Sequence, residues 1–192
     1  TDLLAVQPHH QCVGPGIGAS DEVSSIVNFL WNSGKKIVFD ADALNIIARK
    51  KFQSKSHQAI LTPHEGEFAR LLNGFSVNTR GKSNFQLAKE LSAITGCVVV
   101  LKGVRSIIAS PKGTVYVNPT GCSALASAGT GDVLSGIITS FCAQGLEPFD
   151  AAILGCYIHG CLSTISGKFS LDADEIISIL RMAKKSEIFG EQ

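Results

Sequence analysis

The strongest constraint on this chain is an alternation. Short apolar, β-branched runs and amphipathic helical stretches follow one another with only brief breaker loops between them. Residues 97–102 (Cys-Val-Val-Val-Leu-Lys) form the clearest strand, apolar nearly throughout, as expected of a strand covered on both faces. Residues 36–40 (Lys-Ile-Val-Phe-Asp) and 59–61 (Ala-Ile-Leu) read as further strands, the second closed by Thr62-Pro63. Helical patterns separate them. Ser20 is placed to cap a helix in which Val23, Ile26, Val27, Leu30 and Trp31 share one face, with Gly34 as its stop. Residues 42–50 and 64–72 carry the next two helices, and Ser83 opens a fourth that Gly96 ends. Residues 105–109 and 114–117 flank Ser110-Pro-Lys-Gly113 as an antiparallel hairpin. Helices are expected over 131–144, 148–165 and 172–184, with Pro148 in a first turn and Asp172 as a cap.

This order predicts one α/β domain over residues 1–192, with a mostly parallel sheet and a late antiparallel hairpin at one edge. Among the 192 residues, 45% are apolar and 17% charged, which suits a buried core and excludes a disordered chain. A formal net charge of +1 gives no electrostatic footprint for nucleic acid or an acidic membrane surface, and neither is expected as a partner. No apolar run reaches the roughly 18 residues of a membrane-spanning helix. The six cysteines form no Cys-x-x-Cys pair and read as free, buried thiols in a reducing compartment. The expected location is cytoplasmic, with a mitochondrial one left open.

Ligands of open α/β sheets bind outside the carboxyl ends of the strands, and five loops at such ends are polar or glycine-rich. Ser127-Ala-Gly-Thr-Gly-Asp132 opens a helix: its small residues let a phosphate approach, and the first amide N–H groups of the helix point at it. Asp132 would repel that phosphate unless it accepts a proton from an attacking hydroxyl; it also serves as a simple partner of the helix dipole. Lys102 and Arg105, around Gly103, are placed to meet nucleotide phosphates or to stand as solvated charges. His64 sits between Pro63 and two first-turn acids, Glu65 and Glu67, where it can contact a ligand or cap a helix. Asp40 and Asp42 end a strand, and either a hydroxyl or hydrated Mg²⁺ suits them, although Asp42 also suits a helix cap. Gly14-Pro-Gly-Ile-Gly18 lacks both the dinucleotide fingerprint and a P-loop ending.

Taken in order, Gly14-Pro-Gly-Ile-Gly18, Phe39-Asp-Ala-Asp-Ala-Leu44, Leu61-Thr-Pro-His-Glu-Gly-Glu-Phe68, Leu101-Lys-Gly103 and Gly129-Thr-Gly-Asp-Val-Leu-Ser-Gly136 resemble the ATP- or ADP-dependent NAD(P)H-hydrate dehydratases. Ala151-Ala152 and His159-Gly160 fit as well. The resemblance implies a ribokinase-like, three-layer α/β/α fold and repair of hydrated NADH or NADPH: ATP or ADP, with Mg²⁺, phosphorylates the ring hydroxyl, and phosphate is then lost. It implies Asp132 as base, Gly16, His64 and Asp132 as substrate contacts, and Lys102, Gly103, Val104, Arg105, Ser106, Gly129, Thr130 and Gly131 around the nucleotide. Asp40, Asp42 and Glu67 would be substrate- or Mg²⁺-linked, with no direct protein metal site assigned. Members commonly form homo-oligomers. Cys122, Ser127-Ala128 and Cys161-Leu-Ser163 depart from the family pattern, and the usual segment before the Gly-Pro-Gly loop is not in this sequence, so an N-terminally incomplete domain is expected. Two alternatives remain: a vitamin-precursor kinase of the same fold, and a nucleotide-binding fragment without turnover.

Overall fold

The computed structural model describes residues 10–52 and 58–189. Its sheet has six strands in chain order: β1 (His10–Val13), β2 (Lys36–Phe39), β3 (Ile60–Leu61), β4 (Val98–Leu101), β5 (Ile107–Ala109) and β6 (Val115–Val117). The first four are parallel, and β5 and β6 form an antiparallel hairpin at the edge. Because right-handed crossovers advance in one direction, their helices all fall on one face. These are α1 (Asp21–Trp31), α2 (Ala41–Lys50), α3 (Glu65–Gly74) and α4 (Asn84–Thr95). The opposite face is covered by α5 (Thr130–Ala143) and α6 (Pro148–Ser166), with α7 (Ala173–Met182) and α8 (Lys185–Phe189) beyond them.

The strands supply both cores by simple alternation. Ile37, Phe39, Leu61, Val99 and Leu101 pack with Trp31, Leu44, Leu71 and Leu91 under the first helical layer. Val38, Ile60, Val98, Val100 and Ile108 pack with Leu134, Ile138, Ala152 and Cys156 under the second. Among the described residues, no helix is long and apolar enough to cross a membrane.

Local chemistry explains the helix starts. Ser20 accepts from the Val23 N–H, Ser83 and Gln86 form a reciprocal capping box, and Asp172 and Glu175 form another. Some expectations change. The strand β1 and the helix α8 were not expected, and the hairpin strands are shorter than the 105–109 and 114–117 runs. Asp40, not Asp42, caps α2, because its carboxylate reaches the Ala41 N–H. Cys97, Cys142 and Cys156 are buried as expected, but Cys161 is only half-buried, and Cys12 and Cys122 are exposed because one lies on the edge strand and the other in a loop.

Candidate active site

The parallel ladder continues past the strand ends into the loops. The Asp40 N–H donates to the Val13 carbonyl (3.0 Å), the Thr62 N–H to Phe39 (3.1 Å) and the Lys102 N–H to Pro63 (2.8 Å). Backbone pairing therefore fixes the residues that carry the chemistry. Asp40 is only 1% exposed. One carboxylate oxygen accepts from the Ala41 N–H (2.9 Å) and from Lys102 Nζ (2.7 Å), and the other accepts from Ser135 Oγ of α5 (2.7 Å). Ser135 Oγ in turn lies 3.3 Å from Thr62 Oγ1. A buried charge is tolerable only when its lone pairs are occupied in this way.

Two further acids are committed locally. Asp42 accepts from the Gly18 N–H (2.9 Å) and so ties the glycine-rich loop to α2. Glu67 closes a capping box with His64: the Gly66 N–H donates to His64 Nδ1 (3.0 Å), and the His64 N–H donates to Glu67 (2.9 Å). The capping reading of His64 is thus realised, yet its side chain remains 56% exposed and its ring reaches a cavity wall. The loop also approaches Asp40 closely. A Cβ on Gly14, whose φ is +139°, would stand 1.6 Å from the Asp40 carbonyl oxygen.

At the start of α5, Gly129 adopts φ +83° and no side chain caps the helix. Among the described residues the Gly131 N–H has no acceptor, and Lys102 Nζ would lie 3.3 Å from a Cβ at Gly131. A helix N-terminus and a fixed ammonium thus face the same space, an arrangement that favours an anion. Asp132 follows in the first turn, exposed and accepting no hydrogen bond from the described residues. Although Cys12 on β1 keeps a solvent-facing side, burial of the remainder and then the Asp40 charge raise its thiol to about 11, and Asp132 acts in the same direction.

A cavity of about 500 Å³ opens beside the α5 start. Of the residues singled out in the sequence, His64, Lys102, Gly103, Val104, Ser106, Thr130 and Gly131 line it. Gly16, Arg105, Gly129 and Asp132 do not, nor do Asp40, Asp42 and Glu67. Asn118, Thr120, Gly121, Ser123, Leu125 and Ala126 also line it and were not among the expected site residues. Asn118 Nδ2 donates to the Thr120 and Cys156 carbonyls (3.1 and 3.0 Å), and Thr120 Oγ1 donates to the Tyr157 carbonyl (2.9 Å), pinning that stretch to α6. The Asn-Pro-Thr-Gly turn was its available signal. Among the described residues no three His, Cys, Asp or Glu side chains are grouped to hold a metal ion. Of the acids singled out, Asp40 is engaged at both oxygens, whereas Asp42 accepts a bond from the described residues at one oxygen only.

Comparison with known proteins gives the same assignment over most of the chain. The family model for NAD(P)H-hydrate dehydratase matches residues 7–181. The chain belongs to the NAD(P)H-hydrate dehydratase family. The ADP-dependent (S)-NAD(P)H-hydrate dehydratase of Neisseria meningitidis is 40% identical over 159 residues, covering 80% of this chain and 53% of that protein. The crystal structure of the ADP/ATP-dependent NAD(P)H-hydrate dehydratase from Bacillus subtilis, co-crystallised with ATP/Mg²⁺, is 35% identical with a TM-score of 0.77, covering 90% of this chain and 63% of that one. A ribokinase-like superfamily protein from Enterococcus faecalis is 25% identical with a TM-score of 0.75, covering 89% and 61% of the two chains. The fold is ribokinase-like, as expected. This chain spans about half the length of the Neisseria dehydratase.

One wall residue of this NAD(P)H-hydrate dehydratase family member has an unusual acidity. His159 on α6 is 7% exposed, and its Nε2 is buried without a partner among the described residues. Burial pushes its imidazole down to about 4; a backbone hydrogen bond at Thr130 opposes the shift, and the Lys102 charge adds to it. The unfolded chain, with an ordinary histidine near 6.5, takes up the proton first as pH falls. Stability therefore decreases from about pH 6.5 down to about pH 4, by on the order of 3 kcal/mol from this residue. Urea unfolding across that range, compared with His159→Gln, is expected to show the slope flattened in the variant. Identical slopes would mean that His159 is not held neutral.

Proposed function

We propose that this chain carries the nucleotide-dependent repair chemistry of its family, dehydrating hydrated NADH or NADPH by phosphorylating the ring hydroxyl and eliminating phosphate. The observation that carries this reading is the free Asp132 carboxylate next to Gly131, whose open N–H and the neighbouring Lys102 both line a cavity. An adenine nucleotide fits that asymmetry. Its phosphates match Gly131 and Lys102, and its base suits the apolar lining that Val104, Leu125 and Ala126 supply, with Gly103, Ser106 and Thr130 lining the same cavity. Arg105 and Gly129 flank the same segments from outside the wall. The name of the Neisseria relative points to ADP as donor, and that of the Bacillus structure to either nucleotide.

On this reading Asp132 takes the proton of the ring hydroxyl while its oxygen bonds to the terminal phosphorus and the bond to the leaving nucleotide breaks. The Gly131 N–H at the start of α5 and Lys102 offset the charge that builds on the transferring group. The hydroxyl is now a phosphate ester, a far better leaving group than hydroxide. Cleavage of its C–O bond, with loss of a ring proton, restores the reduced nicotinamide. Gly16 and His64 would contact the dinucleotide on the Asp132 side, with Asp42 and Glu67 holding their loops in shape. Mg²⁺ would enter with the nucleotide phosphates.

Adding the protein to hydrated NADH with ADP or ATP is expected to restore the reduced-nicotinamide absorbance with at least one of them. Folded protein that binds nucleotide yet restores none with either would overturn the proposal. Phosphorylation of a small alcohol instead would favour a vitamin-precursor kinase.

A further inference from the structure

Resting on the nucleotide reading above, we infer that Asp40 is a positioning residue for phosphoryl transfer, which holds the Lys102 ammonium at a fixed place against the start of α5. Asp40 does not line the cavity and touches no reacting atom; it acts through Lys102. A lysine ammonium is a compact point charge on a flexible four-carbon stem, so by itself it defines no position. Here the stem is 18% exposed and its tip is bonded at 2.7 Å to a carboxylate that cannot move. The Ala41 N–H shares the oxygen that binds Lys102, and Ser135 occupies the other.

Ser135 makes the arrangement more than an ion pair. It lies four residues after Gly131 and hence on the same face of α5, one turn along. One carboxylate therefore fixes both the lysine and the helix that presents the open amide. The separation between the two anion-attracting groups is set by Asp40, a residue 62 positions from Lys102 and 95 from Ser135. Donors held in place before charge develops need no reorganisation when it does, and this is the condition under which they speed phosphoryl transfer.

The test compares ligands with and without phosphates. Titration calorimetry with ADP, inorganic tripolyphosphate and adenosine is run on the parent chain, Asp40→Asn, Ser135→Ala, and Asp40→Asn in a Lys102→Met background. Asp40→Asn is expected to weaken ADP and tripolyphosphate by roughly tenfold or more, with adenosine unchanged. Ser135→Ala, which leaves the ion pair intact and keeps the comparison open should Asp40→Asn fold poorly, shifts them the same way by less. Once Lys102 is gone, Asp40→Asn should weaken ADP no more than Ser135→Ala does, since only the contact to α5 is left to lose. A purely structural Asp40 would lower stability while ADP and adenosine changed together, and that result overturns the inference. Tighter ADP binding in Asp40→Asn also overturns it, by making the carboxylate a competitor for Lys102. A folded parent chain that binds neither ADP nor tripolyphosphate overturns both this inference and the proposed function; normal parent binding with unaffected variants removes the inference alone.

Discussion

Asp132→Asn is expected to lower hydrate-repair turnover by roughly 100- to 10,000-fold while ADP affinity stays close to that of the parent. Asparagine has nearly the same shape but no proton-accepting oxygen anion. The carboxylate is exposed and accepts no bond from the described residues, so its loss leaves no buried group unsatisfied and the thermal midpoint should hardly move. Steady-state kinetics with hydrated NADH, paired with ADP titration, separate the outcomes. The competing view, in which Asp132 merely complements the α5 dipole, predicts a stability loss of about 0.3–1 kcal/mol and ordinary turnover. A variant that keeps most of its turnover would remove Asp132 as the base.

The largest stability effect is expected at Gly14. Its φ of +139° is a conformation side chains avoid, and a Cβ would fall 1.6 Å from the Asp40 carbonyl oxygen and 2.6 Å from its carbon. The obstacle is backbone, paired to β1 and unable to step aside. Gly14→Ala should cost at least about 3 kcal/mol, combining dihedral strain with overpacking. Gly18 supplies the control. Its φ is +72° but nothing lies within 4 Å of a Cβ there, so Gly18→Ala should cost only the conformational penalty of roughly 1–2 kcal/mol. Urea unfolding reads both. Equal losses would show that the Gly14 contact is relieved by movement of the loop.

What could be seen in the sequence was what is encoded locally. Ser20, Ser83 and Asp172 cap helices through residues three positions on, and the apolar runs of β2 and β4 name themselves. The strand β1 is different: His-Gln-Cys-Val has no alternation, and it is a strand because β2 pairs with it. At the site, the cavity gathers Lys102, Gly103, Val104, Ser106, Thr130, Gly131 and His64, each from a motif with a phosphate or loop rationale. Side-chain partnerships were not visible. Nothing near Asp40 announces Lys102 or Ser135, and nothing near Asn118 announces α6, because these bonds exist only once the layers have closed. Asp42 was the more obvious cap for α2, but Asp40 reaches the Ala41 N–H first.

The ladder that runs from Val13 through Asp40 and Thr62 ends at Lys102, the one of the four that lines the cavity, and ties that part of the lining to the sheet. Lys102 is held by the sheet through its own backbone, so its place shares the stability of the core. Gly103 and Val104, with Cys122, Ser123 and Ala126, also line the cavity and are exposed surface chain. The ammonium that greets an incoming guest is thus backed by the most deeply anchored part of the molecule, while its neighbours along the wall stand in solvent.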